Sequence, residues 1–178
     1  MALRTSPKSP AELFRAAGIL KTVKRKGWAK AGITGQESVA DHSFRMAIIG
    51  AFLSEETKMD PAKIIRMCLI HDLAESDIGD LTPEEKISEK AHRLEEDNAF
   101  REIVSSLPDR ERKVFLRDWT ELMEMRTNES KLVWQIDKLE MGLTMKDYLR
   151  AGGNKAKLSE FNPASHLSKE LKSILEQY

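Results

Sequence analysis

The chain has 178 residues, of which 40% are hydrophobic and 33% charged, and its 29 Lys and Arg balance 29 Asp and Glu. This length suits one domain with a sizeable core, and the zero formal charge argues against salt-driven binding to a nucleic-acid polymer. The single cysteine, Cys68, excludes an intrachain disulfide framework and a Cys-rich zinc site, and no apolar stretch approaches the roughly 20 residues of a membrane span. Met1 to Pro10 lack the apolar centre of a signal peptide, so the expected location is the cytoplasm.

Residues 1–8 read as a loose tail, and residues 9–178 as one domain. Ser9-Pro10 supplies a helix cap and a first-turn proline, with Glu12 in the box position. Ser38 to Asp41 is a weaker start signal, Asp60-Pro61 a strong one, and Thr82-Pro83-Glu84-Glu85 another. Helices are predicted near 10–22, 39–57, 61–75, 83–107, 110–125, 128–150 and 164–177. Gly152-Gly153 stops the sixth. Gly27 to Glu37 and Ser76 to Leu81 read as loops, and no alternating strand of useful length is found. The fold class is all-α, a compact helical bundle.

The apolar run from Ile64 to Ile70 ends in an adjacent pair, His71-Asp72, in a chain with four histidines. Burying either group without a partner is costly. His42 follows Val39 by three and precedes Met46 by four, so it lies on the apolar stripe of its helix. Asp137 sits among Leu132, Val133, Trp134, Ile136, Leu139 and Met141, on a helix apolar all round and therefore central. Each group alone has a plain explanation, such as a hydrogen-bonded core histidine or a buried ion pair. Together they place two imidazoles and two carboxylates on three inward-facing surfaces. That donor set suits one Mn2+, Fe2+, Co2+, Ni2+ or Zn2+ ion better than Ca2+. Glu75 follows His71 by four and shares its face, with Asp77 and Asp80 in the loop beyond. Cys68, in its apolar run, reads as an inert core thiol. His92, among charged neighbours, and His166, near a helix start, are expected outside the site.

The pattern of His42, then His71-Asp72, then Asp137 resembles the HD-domain metal-dependent phosphohydrolases. Lys26-Gly27-Trp28, Glu37-Ser38-Val39-Ala40-Asp41-His42, His71-Asp72-Leu73-Ala74-Glu75, Gly79-Asp80 and Gln135-Ile136-Asp137-Lys138-Leu139-Glu140 make it more similar to their 5′-deoxynucleotidase branch. The HD motif is specific for the superfamily, and Trp28, Glu75 and Asp80 narrow it. The resemblance implies an HD-type helical fold, commonly a homodimer, that hydrolyses deoxyribonucleoside 5′-monophosphates to nucleoside and phosphate. It implies His42, His71, Asp72 and Asp137 as ligands of one divalent transition metal. It also implies Glu75 as the catalytic carboxylate, Asp80 as the acid on the sugar and catalytic side, and Trp28 as the aromatic of the sugar pocket. One departure stands out. Bacterial members carry a phosphate-binding arginine directly before the tryptophan, whereas this chain has Gly27, as in the human-type branch.

Hydrolysis of a phosphomonoester needs a nucleophile and charge neutralisation, and a divalent ion supplies both. Glu75 is then expected to orient or deprotonate water, and Asp80 to meet a sugar hydroxyl or the leaving oxygen. Of the basic cluster Lys21, Lys24, Arg25, Lys26 and Lys30, Arg25 has the planar fork that suits phosphate, with Lys26 in reserve. Two competing readings remain at this stage. One is an HD phosphohydrolase acting on a triphosphate, cyclic nucleotide or alarmone. The other is a non-catalytic metal- or nucleotide-binding regulator. Leu167, Leu171, Ile174 and Leu175 give the terminal helix an apolar face that either closes the core or is exposed.

Overall fold

Local capping chemistry sets most helix starts. A computed structural model describes residues 9–82 and 84–178. The expected tail at 1–8 and Pro83 of the third start signal lie outside the described residues. Helix α1 spans Ala11–Ile19, α2 Lys26–Lys30, α3 Val39–Thr57, α4 Pro61–Ile70 and α5 Glu75–Ile78. Then come α6 at Glu89–Ser105, α7 at Asp109–Glu124, α8 at Asn128–Arg150, α9 at Lys155–Ser159 and α10 at Lys169–Gln177. A 3-10 turn occupies Ala164–His166. Among the described residues the only strand-like pairing is one isolated bridge between Lys24 and Ser38, so the all-α expectation holds.

Ser38 and Asp41 form a reciprocal capping box at the start of α3, and Asp60 accepts from the Lys63 amide before α4; both starts follow the sequence. Three expectations are corrected. The Ser9/Glu12 box does not form: α1 starts at Ala11, and Glu12 pairs with Arg15 instead. The helix expected from 83 begins at Glu89, where Ser88 accepts from the Ala91 amide. The Glu85 carboxylate does accept from the Thr82 amide at 2.9 Å, but it closes a turn, and Lys26 draws the same carboxylate to α2. The stretches read as loops hold two short helices, α2 and α5.

Two buried clusters form the core. Residues of α1, α6 and α7 build the first, where the Phe100 and Trp119 rings stack at 4.2 Å. Residues of α3, α4, α8 and α10 build the second, with Met46, Met67, Cys68 and Ile136 sealed from solvent. Leu167, Leu171 and Leu175 belong to it, so the terminal helix closes the core with that face. Cys68 is buried, which pushes its thiol up to about 12 and keeps it inert. Gly50 lets α3 approach α4 closely: a Cβ there would stand 3.0 Å from Ile64 Cγ2 and 3.1 Å from Cys68 Sγ. That approach brings the start of α3 against the end of α4.

Phe100→Ala removes one face of the stacked aromatic pair and leaves a cavity. It should cost about 3–5 kcal/mol, read as a lower urea midpoint with an unchanged m-value. A loss below about 1 kcal/mol would show that the first cluster collapses around the gap.

Candidate metal centre

His42 lies in the first turn of α3, sealed from solvent. Helix α4 stops at Ile70, and His71 takes the C-cap. The His71 Nδ1 atom lies 2.8 Å from the Cys68 carbonyl, a contact that requires a proton on Nδ1 and turns the Nε2 lone pair the other way. Asp72 follows in the turn before α5, and Asp137 projects from the middle of α8.

Donor atoms of three of these residues, His42, His71 and Asp72, converge, and Asp137 stands beside His42. His71 Nε2 stands 3.0 Å from Asp72 Oδ2 and 3.3 Å from His42 Nε2. His42 Nε2 stands 3.4 Å from Asp137 Oδ1 and 3.9 Å from Asp72 Oδ2. Neighbouring ligands about 2.1 Å from one ion, at tetrahedral or octahedral angles, are roughly 3.0–3.4 Å apart. His42, His71 and Asp72 offer donor atoms that all lie within 4.8 Å of one another, a cluster that could hold one ion, whereas Asp137 approaches this cluster through His42.

Glu140, which sequence reading assigned no role, completes the surroundings of His42. Its Oε2 contacts His42 Nδ1, while its Oε1 accepts from Arg45 Nε and Thr144 Oγ1, each at 2.9 Å. This carboxylate fixes the tautomer that leaves Nε2 free as a donor to an ion. The signal was present: an acid three residues after Asp137 on the same apolar helix. Glu37 adds a second link, accepting from Trp28 Nε1 at 2.9 Å.

Above the donors opens a cavity of about 530 Å³, walled by Arg25, Trp28, Asp72, Glu75, Asp80 and Asp137 among others. Trp28 is both core and wall, packed on Tyr148 and Phe161. Arg25 Nη1 lies 3.2 Å from Asp72 Oδ2. Asp80 accepts from the Lys26 amide. The Lys26 side chain is not brought in; it pairs with Glu85 at 3.1 Å. His92, expected outside, lines the cavity and is a correction. His166 stays away, beside Trp134.

The electrostatics follow from burial and pairing. Burial opposes ionisation of Asp72, but His71 and Arg25 outweigh it and hold the carboxylate well below its usual range. Asp137 is likewise lowered against burial, by His42 and Lys138. Burial and Arg25 disfavour a charged His42, yet its bonds to Asp137 and Glu140 win and lift it to about 9. Glu75 rises to about 10 through burial and the nearby Asp72 and Asp80. Its buried Oε2 finds no hydrogen-bond partner among the described residues. Burial of Glu75 and the carboxylates around both groups thus hold His42 and Glu75 toward their protonated forms.

The HD domain family matches residues 17–177. The 5′-deoxynucleotidase HDDC2 of Dictyostelium discoideum is 39% identical over 160 residues, covering 84% of each chain. The human 5′-deoxynucleotidase HDDC2 is 34% identical over 151 residues, 84% of this chain and 73% of that one. A conserved hypothetical protein from Pyrococcus furiosus superposes with a TM-score of 0.79 at 34% identity, over 94% of this chain and 97% of that one.

Raised pKa values make metal-stripped stability pH-dependent. The contribution of His42, whose ordinary value is 6.5, is complete below that pH and lost as pH rises through about 9. Glu75, ordinarily 4.5 and here about 10, works in the same direction across that window. Thermal melts of metal-stripped protein should therefore fall from pH 6.5 to 9. Zn2+ should restore more stability at the upper end and release protons on binding. A melting temperature that climbs across this window would contradict the assignment.

Proposed function

The chain belongs to the HD domain family, and on that premise we propose that it is a metal-dependent 5′-deoxynucleotidase acting on deoxyribonucleoside 5′-monophosphates. The carrying observation is the cluster of His42, His71 and Asp72 donors, with Asp137 3.4 Å from His42, beside a cavity lined by Glu75, whose Oε2 has no hydrogen-bond partner among the described residues. The activity of relatives that share most of the chain supports the substrate class.

His42, His71, Asp72 and Asp137 would hold one divalent ion of the Mn2+ to Zn2+ series, since nitrogen and oxygen donors without sulfur suit those metals. When bound, such an ion lowers the pKa of water and takes up charge on a phosphoryl oxygen. The chain's own residues do the rest. Glu75 loses its proton once positive charge is restored nearby, and its carboxylate then orients the attacking water and takes a proton from it. The water oxygen bonds to phosphorus as the bond to the 5′ oxygen breaks, and the leaving oxygen gains a proton. Asp80 receives a sugar hydroxyl or assists that transfer. Trp28 bounds the sugar pocket. Arg25 keeps donors beyond the one on Asp72 and can turn them to phosphate.

Residues 9–178 act as one domain in this reading. A second copy of the chain would cover the outer face of α3, where Phe44, Ile48 and Phe52 are 66%, 58% and 61% exposed one turn apart. The nucleotide substrate and the reduced thiol of Cys68 accord with action in the cytoplasm.

Phosphate release should appear from deoxyribonucleoside monophosphates after metal-stripped protein is resupplied with Mn2+, Co2+ or Zn2+. Pyrophosphate release, or no turnover with any pairing, would reject this reading. Glu75→Gln should lose about 10²–10⁴-fold in kcat with its metal content intact, whereas Asp137→Asn should lose metal on dialysis. Wild-type turnover from metal-loaded Glu75→Gln would remove Glu75 from the mechanism.

Light scattering should give twice the chain mass for the native protein and the monomer mass for Phe44→Glu/Phe52→Glu. A native monomer would reject the dimer.

A further inference from the structure

Two side chains of the cavity carry buried polar atoms with no partner among the described residues: Glu75 at Oε2 and His92 at Nδ1. Glu75 has a part in the hydrolysis proposed above, and His92 has none. His92 sits in the first turn of α6 and is 5% exposed. Its Nε2 lies 2.9 Å from Glu96 Oε1, one turn along the same helix. A carboxylate only accepts, so Nε2 carries the proton of this pair and the ring is held in one orientation. Nδ1 is the atom left over, and an unpaired buried polar atom costs about 1–3 kcal/mol.

The neighbourhood selects the ligand. Gly27 offers no side chain for phosphate, and a Cβ there would stand 3.1 Å from the Phe161 ring. Arg25 and Lys138 each have one carboxylate contact, to Asp72 and to Asp137, and can offer phosphate only the donors left over. Lys86 lines the same cavity as His92, and no ion pair to it is found among the described residues. A doubly protonated ring would bond Glu96 on one side and an acceptor on the other. An anion with acceptor oxygens meets all of these conditions.

We propose that His92, oriented by Glu96 and with Lys86 nearby, binds the phosphate group of the substrate and of the inorganic phosphate product. This inference rests on the nucleotidase reading for its substrate. Its test uses inorganic phosphate itself, titrated calorimetrically into Zn2+-loaded protein. Wild type should bind phosphate. His92→Phe should bind it about tenfold or more weakly, as expected for one hydrogen bond to a charged group, and His92→Gln should recover part of that loss. KM should rise by a similar factor, with metal content and inhibition by a deoxynucleoside unchanged. Equal phosphate affinity in wild type and metal-loaded His92→Phe would overturn the proposal. So would the absence of phosphate binding by wild type, or a loss of deoxynucleoside affinity in place of phosphate affinity. Should His92→Phe fail to fold, ¹⁵N spectra of wild type decide: added phosphate should move the His92 ring nitrogens to their doubly protonated positions, and unmoved signals refute it. If wild type releases no phosphate from any deoxynucleotide, the nucleotidase reading falls, while the phosphate titration still decides the role of His92.

Discussion

The Nε2 atom of His42, a side chain sealed from solvent, faces His71, Asp72 and Asp137, which are only partly buried. Lone pairs cannot face one another there unless a proton or a cation joins them. Every nearby feature answers that constraint. Arg25 and Lys138 stand against the two carboxylates, Glu140 holds the far side of the His42 ring, and the ring itself is drawn toward the protonated form. A divalent ion would replace that proton and satisfy the clustered donors of His42, His71 and Asp72 at once.

Holding the donors in place is the work of three helices. Gly50 draws α3 onto α4, so His42 and His71 enter from adjacent helix ends. Helix α8 crosses the core and delivers Asp137 and, one turn on, Glu140. The outer links run from Glu140 to Arg45 and from Arg45 to Asp147 at 2.7 Å. A buried polar network of this kind must be satisfied throughout, since each missing partner costs more in a medium of low polarity. The polar atoms left unsatisfied include Glu75 Oε2 and His92 Nδ1, on residues that line the cavity.

How much could be read from the sequence depends on the range of each interaction. The caps at Ser38 and Asp60 bond amides three residues away, so their signal is complete within a short stretch. At Thr82 and Glu85 the bond runs the other way, the Glu85 carboxylate accepting from the Thr82 amide, and among the described residues the next helix begins only at Glu89. Pairing of Glu84 and Glu85 with Lys30 and Lys26 turns these residues toward α2 instead, and those partners are more than fifty residues away in the chain. The immediate sequence neighbours of His92 include the charged Lys90 and Arg93 and carry no sign of its burial. The informative pattern was longer: His92, Ala99, Phe100 and Ile103 lie on one buried stripe of α6.

The sequence by itself determined the all-helical class and the inward faces of α3, α4 and α8, and it named His42, His71, Asp72 and Asp137 as candidate ligands. Periodicity and residue chemistry suffice for these, because a helix turns by a known angle per residue and a buried imidazole or carboxylate demands a partner. Only the tertiary structure decided which groups share the cavity. It brought in Arg25 and left the Lys26 side chain on Glu85, attached Glu140 to His42, and set His92 in the wall. These outcomes depend on how helices distant in sequence pack together, and the spacing of residues along one helix carries no information about its neighbours.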